Sequence, residues 1–211
     1  MKKRLIAIGD IHGDIEHLNK LLDKLKPQKD DTFVFLGDYI DRGGHSKEVI
    51  ERLIDLSYET NCIFLMGNHE QMLLNLLKTK KPEDIEMWLL EGGVQTFDNY
   101  GGFVEIFSLH KDFLTGLKPY YLTDEYLFVH AGIRPDIPLE KQDKTDLLWI
   151  RDDFIEHKHH LKQKIIFGHT PFYTPYVEDD KIGINTGCGI DTDGYLTALI
   201  CGDEIFVTSK D

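Results

Sequence analysis

Cysteine is scarce in this chain. Three are present in 211 residues, Cys62, Cys188 and Cys201, and none falls in a CxxC pair. A disulfide framework is therefore not expected, and reduced, buried thiols are. Positive charge is also short: 24 Lys and Arg stand against 37 Asp and Glu, for a formal net charge of −13. Nucleic-acid and anionic-membrane surfaces rely on clustered Lys and Arg, so both classes of partner are disfavoured. A phosphate-bearing substrate would need a strong local positive centre. No apolar run approaches membrane-spanning length. Met1-Lys2-Lys3-Arg4 opens like a signal peptide, but the apolar Leu5-Ile6-Ala7-Ile8 stops at Gly9-Asp10, too short for an h-region, which predicts a first strand instead. Internal repeats, low-complexity stretches and Pro/Ser-rich linkers are missing too. With 41% hydrophobic and 29% charged residues, these absences describe a soluble, cytoplasmic protein whose residues 1–211 form one domain.

What the chain does have is a repeated junction. Arg4–Ile8 runs into Gly9-Asp10-Ile11-His12-Gly13-Asp14, and Thr32–Leu36 into Gly37-Asp38-Tyr39-Ile40-Asp41-Arg42-Gly43. Cys62–Met66 runs into Gly67-Asn68-His69-Glu70, Tyr126–Val129 into His130-Ala131-Gly132, and Lys164–Phe167 into Gly168-His169-Thr170-Pro171. One such junction is ordinary turn chemistry, since Gly and Asn tolerate the dihedrals of tight turns. Five in one chain, each delivering Asp, Asn or His at the end of an apolar strand, point to a shared site.

Between the early strands the apolar period becomes helical. Ile15, Leu18, Leu21, Leu22 and Leu25 follow Asp14, a candidate N-cap, and Pro27 closes the element. Val49, Ile50, Leu53 and Ile54 follow Ser46, and Met72, Leu73, Leu76 and Leu77 open a third helix after Gln71. Buried strands alternating with amphipathic helices predict a parallel sheet covered by helices, whose ligands bind at the carboxyl ends of the strands. From about 80 to 116 the strand signal fades, which predicts a helical insert beside the site, with turns at Gly92-Gly93 and Gly101-Gly102. Short strands around 119–122, 127–129, 176–177, 182–184, 196–200 and 205–207 predict a second, mixed sheet.

Asp10 and His12 lie two apart at a strand end and can face the same way. Asp38, Asn68, His130 and His169 come from other strands. Carboxylate, amide and imidazole without thiolate suit a hard-to-borderline divalent ion such as Mn, Fe or Zn. Six ligands exceed one tetrahedral site and suit two ions sharing a carboxylate.

In order, GDIHG (9–13), GDYIDRG (37–43), GNHE (67–70), HAG (130–132) and GHT (168–170) resemble the signature of the phosphoprotein phosphatase family of metallophosphoesterases. The stretch HAGIRPDIPLEKQDKTDLLWIRDDF (130–154) is similar to its bacterial branch, related to the bacteriophage lambda phosphatase. The resemblance implies an α/β, calcineurin-like four-layer sandwich: two mixed β-sheets flanked by helices, with a binuclear metal centre at one edge. It implies Asp10 and His12 on the first metal, Asp38 as bridge, and Asn68, His130 and His169 on the second. His69 becomes the general acid held by Asp41, and Arg42 with Arg151 clamps the phosphate. The metals expected are two divalent transition ions, Mn first, with Fe or Zn as alternatives. Two such ions lower the pKa of a shared water, and arginine offers a planar fork matched to phosphate.

Some residues are read more plainly. Arg134 rivals Arg151 as the second clamp; motif context favours Arg151, whose plainer reading is a surface ion pair with Asp152 and Asp153. His157-Lys158-His159-His160 reads as a solvated helix end, and Glu70 as a cap or support of the following helix. Against the family pattern, Gly44-His45 replaces a common Pro and sets an extra His near the site, while Glu91-Gly92-Gly93 stands where bacterial relatives often have Asn-Gly-Gly. The implied reaction is hydrolysis of a phosphomonoester, foremost phosphoserine or phosphothreonine in a protein or peptide. The alternative is cleavage of dinucleoside polyphosphates such as diadenosine tetraphosphate, and a non-catalytic scaffold is the remaining reading. Gly168-His169-Thr170-Pro171 lacks the GHxH of diester-cleaving relatives and Arg42 is present, which favours a phosphatase over a nuclease.

Overall fold

Each early strand alternates its faces, and the alternation builds two core layers at once. In the computed structural model, which describes residues 3–210, β1 (Leu5–Ile8) and β2 (Thr32–Phe35) turn Ile6, Ile8, Phe33 and Phe35 toward helices. The same strands turn Ala7 and Val34 toward a second sheet. The chain ends Met1, Lys2 and Asp211, part of the span expected as one domain, lie outside the described residues. The helices over the first face are α1 (Ile15–Leu25), α2 (Ser46–Glu59) and α3 (Asn68–Thr79), whose buried leucines fall at the expected helical spacing. Burying one such Leu or Phe contributes ~1.5–3 kcal/mol, so this layer is a large part of what holds the sheet flat against its helices.

The first sheet has the order β10-β9-β1-β2-β3, where β3 is Asn61–Phe64, β9 Thr197–Ile200 and β10 Ile205–Thr208. β1, β2 and β3 are parallel; β9 and β10 are antiparallel additions. The second sheet has the order β4-β5-β6-β8-β7, from β4 (Tyr120–Leu122), β5 (Tyr126–Val129), β6 (Lys164–Phe167), β7 (Tyr176–Val177) and β8 (Lys181–Gly183). Here β5, β6 and β8 are parallel. Phe128, Ile166 and Ile182 meet Ala7 and Val34 between the sheets, while Leu127, Val129, Ile165 and Phe167 pack outward on Leu147 and Phe154. Those last two belong to α7 (Lys144–Trp149) and α8 (Asp152–Ile155), which close the fourth layer. The expected sandwich of two mixed sheets between helices is the observed fold.

The segment between β3 and β4 is helical as expected: α4 (Pro82–Trp88), a π-turn over Leu89–Gly93, α5 (Val94–Tyr100) and α6 (Phe103–Thr115). Gly92, at φ 101°, supplies the bend.

Two local expectations change. The third helix begins at Asn68, not after Gln71, because Glu70 reaches back to the Gly67 N–H and caps the turn. Asn68 and His69 therefore sit on a rigid first turn rather than in a loop. In the His157–His160 stretch, His157, Lys158 and His160 are exposed just past the end of a helix, as expected, but His159 is not. α8 stops at Ile155, and His159 is buried with Nε2 donating to the Asp180 carbonyl at 2.9 Å. The buried Lys181 ammonium caps α8, donating to the carbonyls of Phe154, Ile155 and His157. His45, the extra histidine, precedes α2, with its backbone N–H on the Gly13 carbonyl beside His12 and its exposed ring facing Glu48 at 3.9 Å.

Candidate active site

The five strand-end segments meet at the carboxyl edge of the two parallel strand sets. Their loops hold one another through backbone bonds: Ile11 and His12 N–H donate to the Asp38 carbonyl, and Gly43 N–H donates to that of His12. Glu70 reinforces the junction by accepting from the N–H groups of Asp38, Tyr39 and Ile40 as well as Gly67. Burial and the neighbouring Asp38 charge push Glu70 up to about 8, while its donors pull the other way. Gly67 is required here, since a Cβ on it would lie 2.1 Å from Asp38 Oδ1. Eight non-glycine residues among those described have positive φ, and five are His12, Asp38, Asp41, Arg42 and His169. Backbone held in this sparsely populated region by its surroundings is typical of sites built for function.

Asp10, His12, Asp38, Asn68, His69, His130 and His169 are all buried and converge on one edge. His12 Nδ1 donates to the Ile40 carbonyl and His130 Nδ1 to that of Leu36. Burial holds both imidazoles below the usual histidine range, His12 down to about 3, so each is neutral with its lone pair on Nε2. Those lone pairs face acceptors. His12 Nε2 stands 3.5 Å from Asp38 Oδ2, and His130 Nε2 stands 3.5 Å from Asp38 Oδ1 and 2.9 Å from Asn68 Oδ1. His169 Nδ1 approaches the same amide oxygen at 3.0 Å, and its Nε2 is buried with no hydrogen-bond partner among the described residues. Turning the Asn68 amide over would satisfy His130, but it cannot reconcile His12 with the Asp38 carboxylate. A cation on each side of Asp38 would, and the carboxylate already presents one oxygen to each imidazole. The His12–Asp38–His69 and Asp38–His130–His169 groups, each with ligating atoms within 4.8 Å, share Asp38. The residues fit two divalent ions.

Asp38 is driven up by burial, but the histidines around it more than offset this and hold it below the usual carboxylate range. Asp10 is raised by burial and by Asp38, and accepts from His169 N–H and from Asn185 Nδ2 at 2.8 Å.

His69 differs from the other three. Burial pushes it down, but Asp38's charge and the Asp41 carboxylate overcome this and raise it to about 9. Its Nδ1 donates to Asp41 Oδ2 at 2.8 Å, and its Nε2 lies 3.4 Å from Arg42 Nη2. The environment thus separates three neutral imidazoles from one imidazolium, which is how a site assigns ligand and acid roles to like residues. Asp41 is fully buried and also accepts from Trp88 Nε1 at 2.8 Å and Thr96 Oγ1 at 2.7 Å. The helical insert therefore orients the Asp41–His69 pair rather than merely flanking it. The sequence gives no signal for Trp88 or Thr96, because their role exists only once the insert folds back.

Arg42 and Arg151 both line a cleft of about 190 Å³ with His69, Trp149 and His169. Arg42 Nη2 is 3.8 Å from Glu91 Oε2. Arg151 has no side-chain hydrogen bond or ion pair among the described residues. Its rival is committed elsewhere: Arg134 makes a bidentate pair with Asp146 and reaches Asp153 at 3.1 Å.

A two-sheet sandwich with this edge is the architecture of a metallophosphoesterase. The chain belongs to the calcineurin-like phosphoesterases, whose family model matches residues 3–203. The asymmetrical bis(5'-nucleosyl)-tetraphosphatase PrpE of Oceanobacillus iheyensis is 31% identical, over 88% of this chain and 84% of its own. The serine/threonine-protein phosphatase PP1-delta of Caenorhabditis elegans is 29% identical, over 71% of this chain and 50% of its own. A solved structure provisionally described as a diadenosine tetraphosphatase superposes with a TM-score of 0.73 at 21% identity, over 98% of this chain and 92% of that one. That structural likeness shows the fold alone. The fold implies divalent metal ions.

Proposed function

We propose that this chain is a two-metal phosphohydrolase whose preferred substrate is a dinucleoside tetraphosphate, cleaved asymmetrically into a mononucleotide and a nucleoside triphosphate. The similarity to a bis(5'-nucleosyl)-tetraphosphatase along nearly the full length of both chains carries this reading. It moves the weight from the phosphoprotein substrate expected from the motifs to the alternative, since PP1-delta is matched over only half its length. Trp149 supports it from the site: its ring stands 5.9 Å from that of His169 and remains 38% exposed at the cleft, a face on which a base can stack.

Asp10, His12 and Asp38 would hold one ion, and Asp38, Asn68, His130 and His169 the other. Bound there, the ions supply an acidified water as nucleophile and positive charge to the phosphoryl oxygens. Arg42 and Arg151 grip those oxygens from two sides of the cleft, and with the ions they outweigh the local carboxylates. The site attracts what the acidic surface repels. His69 donates its Nε2 proton to the leaving oxygen, and Asp41 orients and charges the ring.

A second reading rests on that same His69–Asp41 pair. An imidazolium raised to about 9 is most needed by a poor leaving group such as a serine alkoxide, so phosphomonoesters are the second substrate class. Parallel assays of diadenosine tetraphosphate, a phosphoserine peptide and p-nitrophenyl phosphate, with and without manganese, separate the two. The expected result is a kcat/KM for the dinucleotide at least ~10-fold above that for the peptide, a difference of ~1.4 kcal/mol. The reverse order would return the chain to the phosphoprotein phosphatases.

A further inference from the structure

Behind the loop that carries His12, three more side chains turn metal-binding atoms toward one another. The ligating atoms of Asp14, His17 and Cys188 all lie within 4.8 Å. Asp14 caps α1, accepting from the His17 N–H at 3.0 Å through Oδ1, and its Oδ2 meets His17 Nδ1 at 2.7 Å. Cys188 arrives from the turn after β8, fully buried, with Sγ 3.6 Å from the Ile11 carbonyl oxygen and within reach of the Asp14 carboxylate. The Asp14 and His17 side chains keep 23% and 29% of their surface exposed, so an ion can enter from solvent.

We propose that Asp14, His17 and Cys188 form a further metal site, outside the cleft, that takes zinc or cobalt in preference to manganese. Thiolate, imidazole and carboxylate are three of the ligand types zinc uses, and three protein ligands leave a fourth, open position. Zinc–ligand bonds of ~2.0–2.3 Å in a tetrahedral arrangement require Asp14 Oδ2 and His17 Nδ1, now 2.7 Å apart, to part slightly so that both face the ion, and a partly exposed His17 can rotate to do so. The thiolate gives the site a preference the cleft lacks, because soft sulfur favours zinc-type ions while manganese prefers oxygen and nitrogen. One proton leaves the thiol to solvent on binding.

The location has a consequence for the cleft. Gly189 packs so tightly on the His12 loop that a Cβ there would lie 2.6 Å from the His12 carbonyl oxygen. An ion joining Cys188 to Asp14 and His17 therefore fastens the Gly187–Gly189 turn to the start of α1, with His12 between them.

Full-length protein saturated with manganese is titrated with cobalt(II), and the thiolate-to-cobalt charge-transfer absorption is followed. None of the cleft residues is a cysteine, so manganese or cobalt in the cleft contributes nothing to that band. The expected result is the band together with one additional ion per chain and a rise in Tm. Cys188→Ala abolishes the band and leaves manganese-supported turnover of p-nitrophenyl phosphate unchanged. His17→Ala, at a partly exposed position that does not endanger folding, weakens cobalt binding by at least ~10-fold, the lower bound for losing even an indirect partner of a metal. No band at saturating cobalt, or a band that persists in His17→Ala at unchanged affinity, overturns the proposal.

Discussion

Replacing His69 with Asn lowers kcat for a phosphoserine peptide by ~10²–10⁴, the usual contribution of a general acid, and lowers it far less for p-nitrophenyl phosphate. The serine alkoxide leaves poorly and needs the proton, whereas p-nitrophenolate leaves without help. A nucleoside triphosphate is also a stabilised anion, so the loss on diadenosine tetraphosphate falls between these extremes. The pH profile carries the same information. His69 is raised to about 9, so its acidic form is present below that pH and is lost as pH rises through it. The rate on the peptide therefore falls on an alkaline limb that Asn at 69 removes. Asp41→Asn weakens both effects without abolishing them, because Trp88 and Thr96 still hold the side chain at that position. Should Asn at 69 lower all three activities equally and strip an ion, His69 is a ligand with His12 and Asp38, as their proximity would also allow.

The second large effect is at the carboxylate between the histidines. Asp38→Asn costs at least ~10² in kcat/KM on every substrate, the scale of losing one preorganised electrostatic contact. It also weakens both metal sites. An amide offers one oxygen and no charge, so it cannot face His12 and His130 as the two carboxylate oxygens do at 3.5 Å each. Metal analysis of the variant checks this. Loss of one ion with the other retained at near-normal turnover shows that Asp38 does not bridge.

Much of the fold was readable because buried parallel strands leave a plain trace: apolar runs such as Thr32–Leu36 and Lys164–Phe167, stopped by glycine. The same property placed the polar residues, since a chain leaving such a sheet delivers them to one edge. What could not be read depends on contacts across the fold. Trp88 and Thr96 lie far along the chain from Asp41, and only the bend at Gly92 brings them to it. The early start of α3 depends on Glu70, whose four backbone donors come from two loops. Motif context alone favours Arg151 over Arg134, and that Asp146 and Asp153 engage Arg134 is visible only in the fold. His159 looked like surface and is buried, because the Asp180 carbonyl lies beside it. The left-handed backbone at His12, Asp38 and His169 has no counterpart in composition or periodicity.

The binuclear centre is the claim on which the rest depends, and manganese stoichiometry tests it most directly. Apo-protein prepared by chelation and dialysed against increasing manganese should have no phosphohydrolase activity, take up two ions per chain at saturation, and regain activity as the second ion binds. Full activity with at most one ion per chain would contradict it.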